Sequence, residues 1–432
     1  MSEKLSVLPY KGTRDFYPEE MRLRNWFFGV IREVLEKSAF EEYGGPMLES
    51  LDLYAAKSGE ELATKQTYNF TDRGDRRLAI RPEMTPTVAR MVAGKMNELN
   101  FPLKWFSFPN MYRYEAPQRG RLREFWQLNV DVFGCDGFEA DLEVVTSAID
   151  LLLAFGADEN MFRVHINNRR FFSDVIAAVT GKDAEGSRAI SKVVDRRGKV
   201  PYDVYKKDLI ALGLSEDEIA KLDSLYTMTV EEATSLCPES VGAQELLSLF
   251  SLLTKTGLAK YCVFDFGIVR GLDYYTGTVF EVFDLSPENN RAMFGGGRYD
   301  NLVGLFVKNA KVSGVGYGMG DVTLENFLRT HNLIPESLTA GVKVLVTRFP
   351  DAPYEAYLNL ADALKKHGVT SSLYLGEKKF GKQLEYAVKE NYTHVLVMGG
   401  DEYARGVVRL KNLATREEKE MPFVDALASL LS

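Results

Sequence analysis

Residues Met111 to Gly134 read MYRYEAPQRGRLREFWQLNVDVFG, in which two strand-like runs flank a turn rich in Arg, Gln and Gly. Between Lys104 and Arg123 the chain has five basic residues and one acid, Glu115, although its net charge is −8. Arginines on such a hairpin suit phosphate groups, because a guanidinium offers planar, paired donors and keeps its charge. Charge alone leaves a solvated basic hairpin as an equal alternative.

The segments around this hairpin predict an α+β core, residues 1–330, with an antiparallel sheet flanked by helices. A helix is expected over Glu20–Lys37, and some extended segments are joined by short polar loops, as in hairpins. Those extended segments are Trp105–Pro109, Arg113–Glu115, Glu124–Phe133, Val263–Phe266 and Thr278–Phe283. Apolar residues at helical spacing predict a helical insertion at about 169–260.

A linker at 331–341 is predicted to precede a second domain at 342–432, because Pro335, Gly341 and polar residues cluster there. Beyond it the pattern alternates between strands and helices, which predicts a small α/β domain with a mainly parallel sheet. The strands are expected at 342–347, 371–375, 394–398 and 406–410, and the helices at 352–366, 380–389 and 422–431.

Composition excludes several classes of protein. With 45% hydrophobic and 26% charged residues, the chain has the profile of a soluble globular protein, and the absence of an apolar run of ~20 residues argues against a membrane partner. Cys135, Cys237 and Cys262 lack the spacing of a zinc or redox motif, so no metal ligand is identified in the protein. A reducing, cytoplasmic compartment is expected.

Two further segments contain acceptors suited to an ammonium group. In RPEMTPTVAR, Arg81–Arg90, Glu83 follows a proline and opens a helix. Its carboxylate either interacts favourably with the positive end of the helix dipole or binds an amino group. Gln127 and Asp131 lie two residues to either side of Asn129, so one face of a strand presents all three. A buried ammonium needs such partners.

The segments FGIVRGLDYYTGTVFE, Phe266–Glu281, and FGGGRYDNL, Phe294–Leu302, combine tyrosines with glycines. A tyrosine side chain combines a hydroxyl group that forms hydrogen bonds with a flat aromatic ring that packs against other groups. For an isolated Tyr274–Tyr275 pair, core aromatics on a strand would be the simpler interpretation, and Gly295–Gly297 would be a turn.

Taken together, these segments resemble the class II aminoacyl-tRNA synthetases. The arginine, loop and RLREF order of the hairpin resembles their motif 2, and GGPMLESLDLY, Gly44–Tyr54, resembles the dimer-forming motif 1, whose proline is here Pro46. Phe266–Glu281, Phe294–Leu302 and the opening GTRDFYPEE, Gly12–Glu20, resemble the histidyl-tRNA synthetase family in particular. The C-terminal domain resembles that subgroup's anticodon-binding domain. The resemblance implies a homodimeric ligase that uses ATP and Mg²⁺ to join histidine to tRNA(His).

The resemblance also implies roles for individual residues. Arg113 and Arg270 would be catalytic cations at the α-phosphate of ATP. Arg121 would lie near the ATP phosphates and the tRNA end, and Phe125 would stack under adenine. The residues implied to hold histidine are Glu83, Met84, Thr85, Gln127, Asp131, Tyr274, Tyr275 and Tyr299.

The third motif of the class is altered in GVGYGMGDVTLENFL, Gly314–Leu328, where Thr323 occupies the position of an arginine that clamps ATP. Arg329 is six residues after Thr323, or about 600° around a helix, so its side chain points in a different direction. The candidates to replace the missing arginine are therefore Arg298 and Mg²⁺. The alteration favours an alternative, a histidine-binding regulatory paralogue such as the regulatory subunit of ATP phosphoribosyltransferase. The anticodon-like domain and the intact segment around Arg270 favour the enzyme, and the tyrosines argue against a synthetase for another amino acid.

Overall fold

The computed structural model describes residues 5–55, 66–194, 196–198, 200–268, 275–289, 291–308, 310–338 and 341–431 of the chain. The chain divides into two compact units, Met1–Pro335 and Glu336–Ser432. Within the described ranges, no helix is both long and apolar enough to cross a bilayer.

The first unit combines one large sheet with helices and a small second sheet. Its helices and strands are, in chain order, α1 Pro18–Lys37, β1 Glu41–Glu42, β2 Leu48–Ser50, α2 Leu51–Ala55, β3 Asn69–Thr71, β4 Arg77–Ile80, α3 Thr85–Lys95, β5 Leu103–Ser107, β6 Asn110–Tyr112, β7 Glu124–Phe133, α4 Glu139–Ala154, β8 Phe162–Asn168, α5 Arg169–Thr180, α6 Ala184–Val194, α7 Tyr202–Ala211, α8 Glu216–Ser224, α9 Val230–Thr234, α10 Val241–Lys255, β9 Cys262–Phe264, β10 Thr278–Asp284, β11 Ala292–Arg298, β12 Gly314–Gly320 and α11 Asp321–Thr330.

The large sheet confirms the prediction of an α+β core. In the described part of the chain its strands follow the order β1-β5-β7-β12-β11-β10-β8-β9, and β6 pairs with β7. All these pairs are antiparallel except β1–β5 and β8–β9 at the two ends. The strands β2, β4 and β3 form a separate antiparallel sheet.

Helix α1 shows how the sequence pattern leads to packing. Leu23, Phe27, Ile31 and Leu35 recur every four residues and are all buried, so they form one apolar face. That face packs against α4, which also contacts β7 and β12 of the sheet. Pro18 is in the first turn, where its missing N–H costs nothing. Helices α1 and α4 therefore cover this part of one face of the large sheet.

Sequence pattern predicted neither β11 nor β12, although the third motif of the class implied a strand at β12, and the reason is their glycine content. Gly295–Gly297 was interpreted as a possible turn, whereas β11 is extended and pairs with both β10 and β12. Glycine has low strand propensity, so sequence pattern gives a weak signal there. The predicted strand Arg113–Glu115 was also wrong, because β6 ends at Tyr112 and the chain then enters the loop.

The insertion is helical, as predicted. Between Arg169 and Lys255 the described residues form helices α5 to α10 and no strand. Local signals set their ends: the Asn168 side chain accepts from the backbone N–H groups of Arg170 and Phe171 at the start of α5. Gly181 ends α5 in the left-handed region, with φ 62°, a conformation that glycine adopts without strain.

The second unit is an α/β domain, as predicted. Its elements are β13 Lys343–Val346, α12 Tyr354–Lys366, β14 Thr370–Leu373, α13 Phe380–Lys389, β15 His394–Val397, α14 Gly400–Arg405, β16 Val407–Asn412, β17 Glu418–Pro422 and α15 Phe423–Leu431. The sheet order is β14-β13-β15-β16-β17. The first three strands are parallel, but β16 and β17 form an antiparallel hairpin. The sheet is therefore mixed, whereas a mainly parallel sheet was predicted. The prediction missed β17 and with it the antiparallel hairpin.

Candidate active site

Two cavities open along the strands of the large sheet. The larger has a volume of about 420 Å³ and lies between the loop that joins β6 to β7, the end of β12 and the start of α11. The smaller, of about 120 Å³, is lined by residues of β7, β11 and β12 and by the segment before α3. Arg113, Gln127 and Gly318 border both cavities, so the two adjoin.

The larger cavity has a basic lining. Its charged residues are four arginines, Arg113, Arg119, Arg121 and Arg291, and two acids, Glu115 and Glu288. Arg121 Nε lies 3.1 Å from a Glu115 carboxylate oxygen, and the ion pair between Arg119 and Glu288 is longer, at 3.7 Å. The excess of guanidinium groups suits a polyanion such as a phosphate chain.

Arg113 is held in a fixed orientation at the junction of the cavities. Its Nε donates to the carbonyl oxygen of Pro82 at 2.9 Å, and its backbone N–H donates to the Arg123 carbonyl oxygen at 2.9 Å. The guanidinium carbon lies 5.3 Å from the centre of the Phe125 ring. Phe125 itself lines the larger cavity, where it offers a flat aromatic face.

The smaller cavity is rich in hydrogen-bond acceptors. Glu83, which is 4% exposed, lines it together with Thr85, Gln127 and Asn129. Asn129 Nδ2 donates to the Gln127 backbone carbonyl oxygen at 3.0 Å. The Gln127 Oε1 atom is buried and has no hydrogen-bond partner among the described residues. A carboxylate and an unused amide oxygen in a small polar cavity suit an ammonium ligand.

The buried carboxyl group of Asp131 contacts a tyrosine of the smaller cavity. Tyr299 lines the cavity and donates its hydroxyl hydrogen to Asp131 Oδ1. Burial raises the pKa of Asp131 to about 7, and the hydrogen bond from Tyr299 opposes that rise. Tyr275 also lines the cavity. Its pKa is raised mainly by burial and to a smaller extent by the negative charges of Glu83 and Asp131.

Two glycines of β12 make room for the polar side chains of β7. Gly316 pairs with Asp131, and Gly318 pairs with Asn129, in the antiparallel register. A Cβ atom at Gly318 would lie 1.7 Å from Gln127 Nε2, and one at Gly316 would lie 2.3 Å from Asp131 Oδ1. Any side chain at these positions would displace groups of the smaller cavity, which explains glycine within a strand.

The structure brings together most of the residues that the sequence analysis singled out. Arg121 and Phe125 line the larger cavity, and the residues on the smaller one are Glu83, Thr85, Arg113, Gln127, Tyr275 and Tyr299. Asp131 reaches this group through Tyr299. Met84 does not line either cavity, and its side chain is buried with 1% exposure. Arg270 and Tyr274 lie outside the described residues.

The altered third motif also lies on the larger cavity. Thr323 lines it, and its hydroxyl donates to the carbonyl oxygens of Met293 at 2.8 Å and Gly320 at 3.0 Å. Arg298, proposed above as a substitute cation, lines neither cavity. It is 2% exposed and pairs with the equally buried Asp141 at 2.6 Å, so its charge is already used inside the protein.

Arg291 was not foreseen as a site residue. It lines the larger cavity directly before β11, a strand that was not predicted. Without that strand, the alternation of side chains could not be applied to this segment. The sequence feature that could have indicated Arg291 as a site residue was its positive charge.

Comparison with known proteins identifies relatives over almost the whole chain. The family model "Histidyl-tRNA synthetase" matches residues 12–321, and the model "Anticodon binding domain" matches residues 343–432. A histidine–tRNA ligase of Leptospira biflexa is 45% identical and aligns over 99% of this chain and 98% of its own length. The Haloarcula marismortui histidine–tRNA ligase is 35% identical over 95% of each chain.

Solved structures share the fold. The histidyl-tRNA synthetase from Nostoc sp. superimposes with a TM-score of 0.84 at 24% identity, over 99% of each chain. A Bacillus halodurans protein described as an ATP phosphoribosyltransferase regulatory subunit/histidyl-tRNA synthetase gives a TM-score of 0.75 at 24% identity, over 91% of this chain and 98% of its own.

The family match over residues 12–321 places the chain among the class II aminoacyl-tRNA synthetases, and the antiparallel sheet with its arginine-bearing hairpin agrees with that class. The matches over the full length of the chain narrow this class further. The chain belongs to the histidyl-tRNA synthetase family.

Proposed function

We propose that the protein acts as a histidine–tRNA ligase, which activates histidine with ATP to form histidyl-adenylate and then transfers histidine to tRNA(His). One observation supports this most directly. A small cavity with a carboxylate and tyrosines adjoins a larger basic cavity, and Arg113 borders both. An amino acid and a nucleotide bound in these cavities would have their reacting groups side by side.

In the first step, a carboxylate oxygen of histidine attacks the α-phosphorus of ATP, and pyrophosphate leaves as the bond from that phosphorus to the bridging oxygen breaks. The histidine carboxylate is itself the nucleophile, so the protein contributes position and charge. Arg113, fixed by Pro82 and Phe125, would contact the α-phosphate. Arg270 is assigned a second contact with that phosphate on the resemblance of its segment.

In the second step, a terminal ribose hydroxyl of tRNA attacks the carbonyl carbon of the adenylate. An ester bond to histidine forms, the bond from the carbonyl carbon to the phosphate oxygen breaks so that AMP leaves, and the hydroxyl proton passes to solvent. Arg121 on the hairpin loop is assigned to the phosphates and the tRNA end, because it lines the larger cavity with a half-exposed side chain. Phe125 on the same cavity would stack on adenine.

Histidine would bind in the smaller cavity with its α-ammonium group against Glu83, Thr85 and Gln127. Its imidazole would meet Tyr275 and Tyr299, with Asp131 orienting the Tyr299 hydroxyl, and Tyr274 is assigned here by resemblance. A cavity built to bond a polar ring rejects apolar amino acids, since its buried polar groups would lose their partners. The buried Met84 would support this wall from the core rather than contact the substrate.

Mg²⁺ is proposed as a companion of ATP. Among the described residues, no group of three or more His, Cys, Asp or Glu is placed to hold a metal ion. The two carboxylates on the larger cavity, Glu115 and Glu288, both contact arginines. Mg²⁺ would therefore be bound chiefly by phosphate oxygens and water, as is usual for ATP complexes.

We assign residues 1–330 to the catalytic domain, 331–341 to a linker and 342–432 to the anticodon-binding domain. The tRNA contact rests on the match of residues 343–432 to the anticodon-binding family model. A homodimer built through the segment around Pro46 is proposed from its resemblance to motif 1. A cytoplasmic location is proposed with the support of three free cysteines, which suit a reducing compartment.

The regulatory paralogue is the weaker alternative. The similarity to the Bacillus halodurans protein is 24% in identity and supports a common fold. Relatives with higher identity and nearly complete coverage are histidine–tRNA ligases, and the chain matches an anticodon-binding domain.

The first test is ATP–pyrophosphate exchange with each of the twenty amino acids in the absence of tRNA. We expect exchange that depends on histidine and is slight with the other nineteen. Charging of tRNA(His) transcript with labelled histidine then tests the second step. Histidine binding by calorimetry without any exchange would contradict the ligase and favour the regulatory protein.

A further inference from the structure

We propose that Arg291 supplies to ATP the positive charge that the class II fold ordinarily provides from the position of Thr323. This inference rests on the proposed function, because it assigns a contact to the nucleotide of that reaction. Thr323 itself is uncharged, and its hydroxyl is bonded to the carbonyl oxygens of Met293 and Gly320. A cation that replaces the arginine of this position must therefore come from a different element.

Arg291 approaches the same part of the cavity wall as Thr323. It lies two residues before Met293, at the entrance to β11, and side chains two residues apart in extended chain point to the same side. Both Arg291 and Met293 line the larger cavity. Because Thr323 Oγ1 donates to the Met293 carbonyl oxygen at 2.8 Å, the start of β11 and the start of α11 are adjacent there.

The guanidinium of Arg291 reaches across to the hairpin loop. Its Nη2 atom donates to Gln118 Oε1 at 3.3 Å. The same loop also approaches Thr323, since a Cβ atom at Gly120 would lie 3.7 Å from Thr323 Cγ2. Arg291, Thr323 and the hairpin loop thus surround one region of the larger cavity.

Arg291 also differs from the neighbouring arginines in its partners. Arg119 and Arg121 each form an ion pair with a glutamate of the cavity lining. Across the described residues, no carboxylate oxygen lies within 4.0 Å of the Arg291 guanidinium, which donates instead to the neutral amide of Gln118. A phosphate oxygen can replace that long hydrogen bond with a shorter, charge-assisted one.

Two other basic residues near the altered motif are unsuited to this role. Arg298 is buried against Asp141. Arg329 pairs with Glu325 of the same helix at 2.8 Å and does not line the cavity. Arg291 is exposed, basic and on the cavity wall, which meets the three requirements for a cation that contacts bound ATP.

The test is ATP affinity, measured by calorimetry without histidine, together with the KM for ATP in histidine-dependent exchange. Arg291→Ala should weaken ATP binding about 10- to 100-fold, the loss typical of a charge-assisted hydrogen bond. Its histidine affinity and melting temperature should stay at the values of the unaltered protein. Arg291→Lys should fall between the two, because lysine keeps the charge but not the fork. Arg329→Ala is the matched control and should bind ATP normally.

A second variant tests whether the two positions are equivalent. Thr323→Arg introduced into the Arg291→Ala protein should recover much of the lost ATP affinity. A double variant as weak as Arg291→Ala would overturn the equivalence, and normal ATP binding by Arg291→Ala would overturn the role of Arg291 altogether. Failure of the proposed function can be distinguished from failure of the role of Arg291. If the protein is not a ligase, the unaltered protein would bind ATP but show no histidine-dependent exchange. The calorimetric comparison of ATP affinity between variants would still test Arg291.

Discussion

Tyr299 donates its hydroxyl hydrogen to Asp131 Oδ1, and the two side chains are only 2% and 3% exposed. The second carboxyl oxygen of Asp131 is buried and has no hydrogen-bond partner among the described residues. Burial raises the pKa of Asp131 to about 7, and the bond from Tyr299 acts in the opposite direction. The folded protein therefore keeps a proton on Asp131 at pH values where an unfolded aspartate has lost it.

This difference predicts a pH-dependent stability. Between about pH 4, the pKa of an unperturbed aspartate, and about pH 7, Asp131 binds a proton in the folded state that it has lost in the unfolded state. The contribution of Asp131 to stability therefore falls as the pH rises through that window. Asp131→Asn should remove this component, so that urea unfolding of the variant shows a flatter pH profile. The two proteins would have parallel profiles if Asp131 titrated normally.

Tyr299→Phe provides the matched comparison for the same prediction. Loss of the hydroxyl removes the group that lowers the pKa of Asp131, so the upper end of the window should move above that of the unaltered protein. An unchanged upper limit would show that Tyr299 does not stabilise the carboxylate.

Glu83→Gln should impair histidine binding selectively. The side chain keeps its shape but loses the charge that would face the α-ammonium group in the smaller cavity. We expect the KM for histidine to rise about 10- to 100-fold, because a hydrogen bond to a charged group contributes roughly 1.5–3 kcal/mol. The KM for ATP should change little. Glu98→Gln, at an exposed ion pair with Lys95, is the control, and equal histidine KM values in the two variants would contradict the assignment.

Gly318→Ala should affect both substrates. The added methyl group would lie 1.7 Å from Gln127 Nε2 unless that amide moves, and Gln127 borders both cavities. We expect higher KM values for histidine and for ATP at nearly normal stability, since the end of a flexible side chain gives way. Gly29→Ala in helix α1 is the control, because a Cβ atom there would meet no other atom within 4 Å and Gly29 lines neither cavity. Steady-state exchange kinetics of the two variants would settle the comparison.

Arg298→Ala should destabilise the fold. The change would leave Asp141, which is 2% exposed, as an unpaired buried carboxylate. We expect a loss of about 3–5 kcal/mol in the free energy of unfolding, measured by urea denaturation. The exposed control Arg329→Ala should cost less than about 0.5 kcal/mol. A small effect at Arg298 would mean that Asp141 becomes protonated or hydrated at little cost.

Arg270→Ala should slow histidyl-adenylate formation at least about 100-fold, the effect typical of losing a fixed charge at a developing negative centre. Histidine binding should be retained, as judged by calorimetry. This expectation comes from the sequence resemblance of Phe266–Glu281, because Arg270 lies outside the described residues. Near-normal pyrophosphate exchange by the variant would refute it.

Several features of the fold followed from sequence alone. The span predicted for β7, Glu124–Phe133, and the one for the helix Phe380–Lys389 agree with the structure at both ends, because both have strong periodicity. No span was predicted from the pattern for the glycine-rich strands β11 and β12. Glycine weakens the local signal, and pairing across the sheet sets the positions of these strands. The hairpin arginines and Glu83 were found from charge and motif order.

Other site features depend on tertiary contacts that no local pattern encodes. The burial of Arg298 against Asp141 joins residues 157 positions apart, so sequence left it as a free cation. Arg291 stands where an unpredicted strand begins, and its position on the cavity emerges from the pairing of β11 with β12. The bond from Tyr299 to Asp131 likewise requires the register of strands distant in the chain.

The boundary formed by Arg113, Gln127 and Gly318 belongs to both cavities. A ligand that shifts any of these groups changes the space and charge offered to the ligand beside it. Thermodynamic linkage then requires that each substrate alter the affinity of the other by the same factor. The potency of an inhibitor that fills one cavity is therefore defined only at a stated concentration of the substrate in the other.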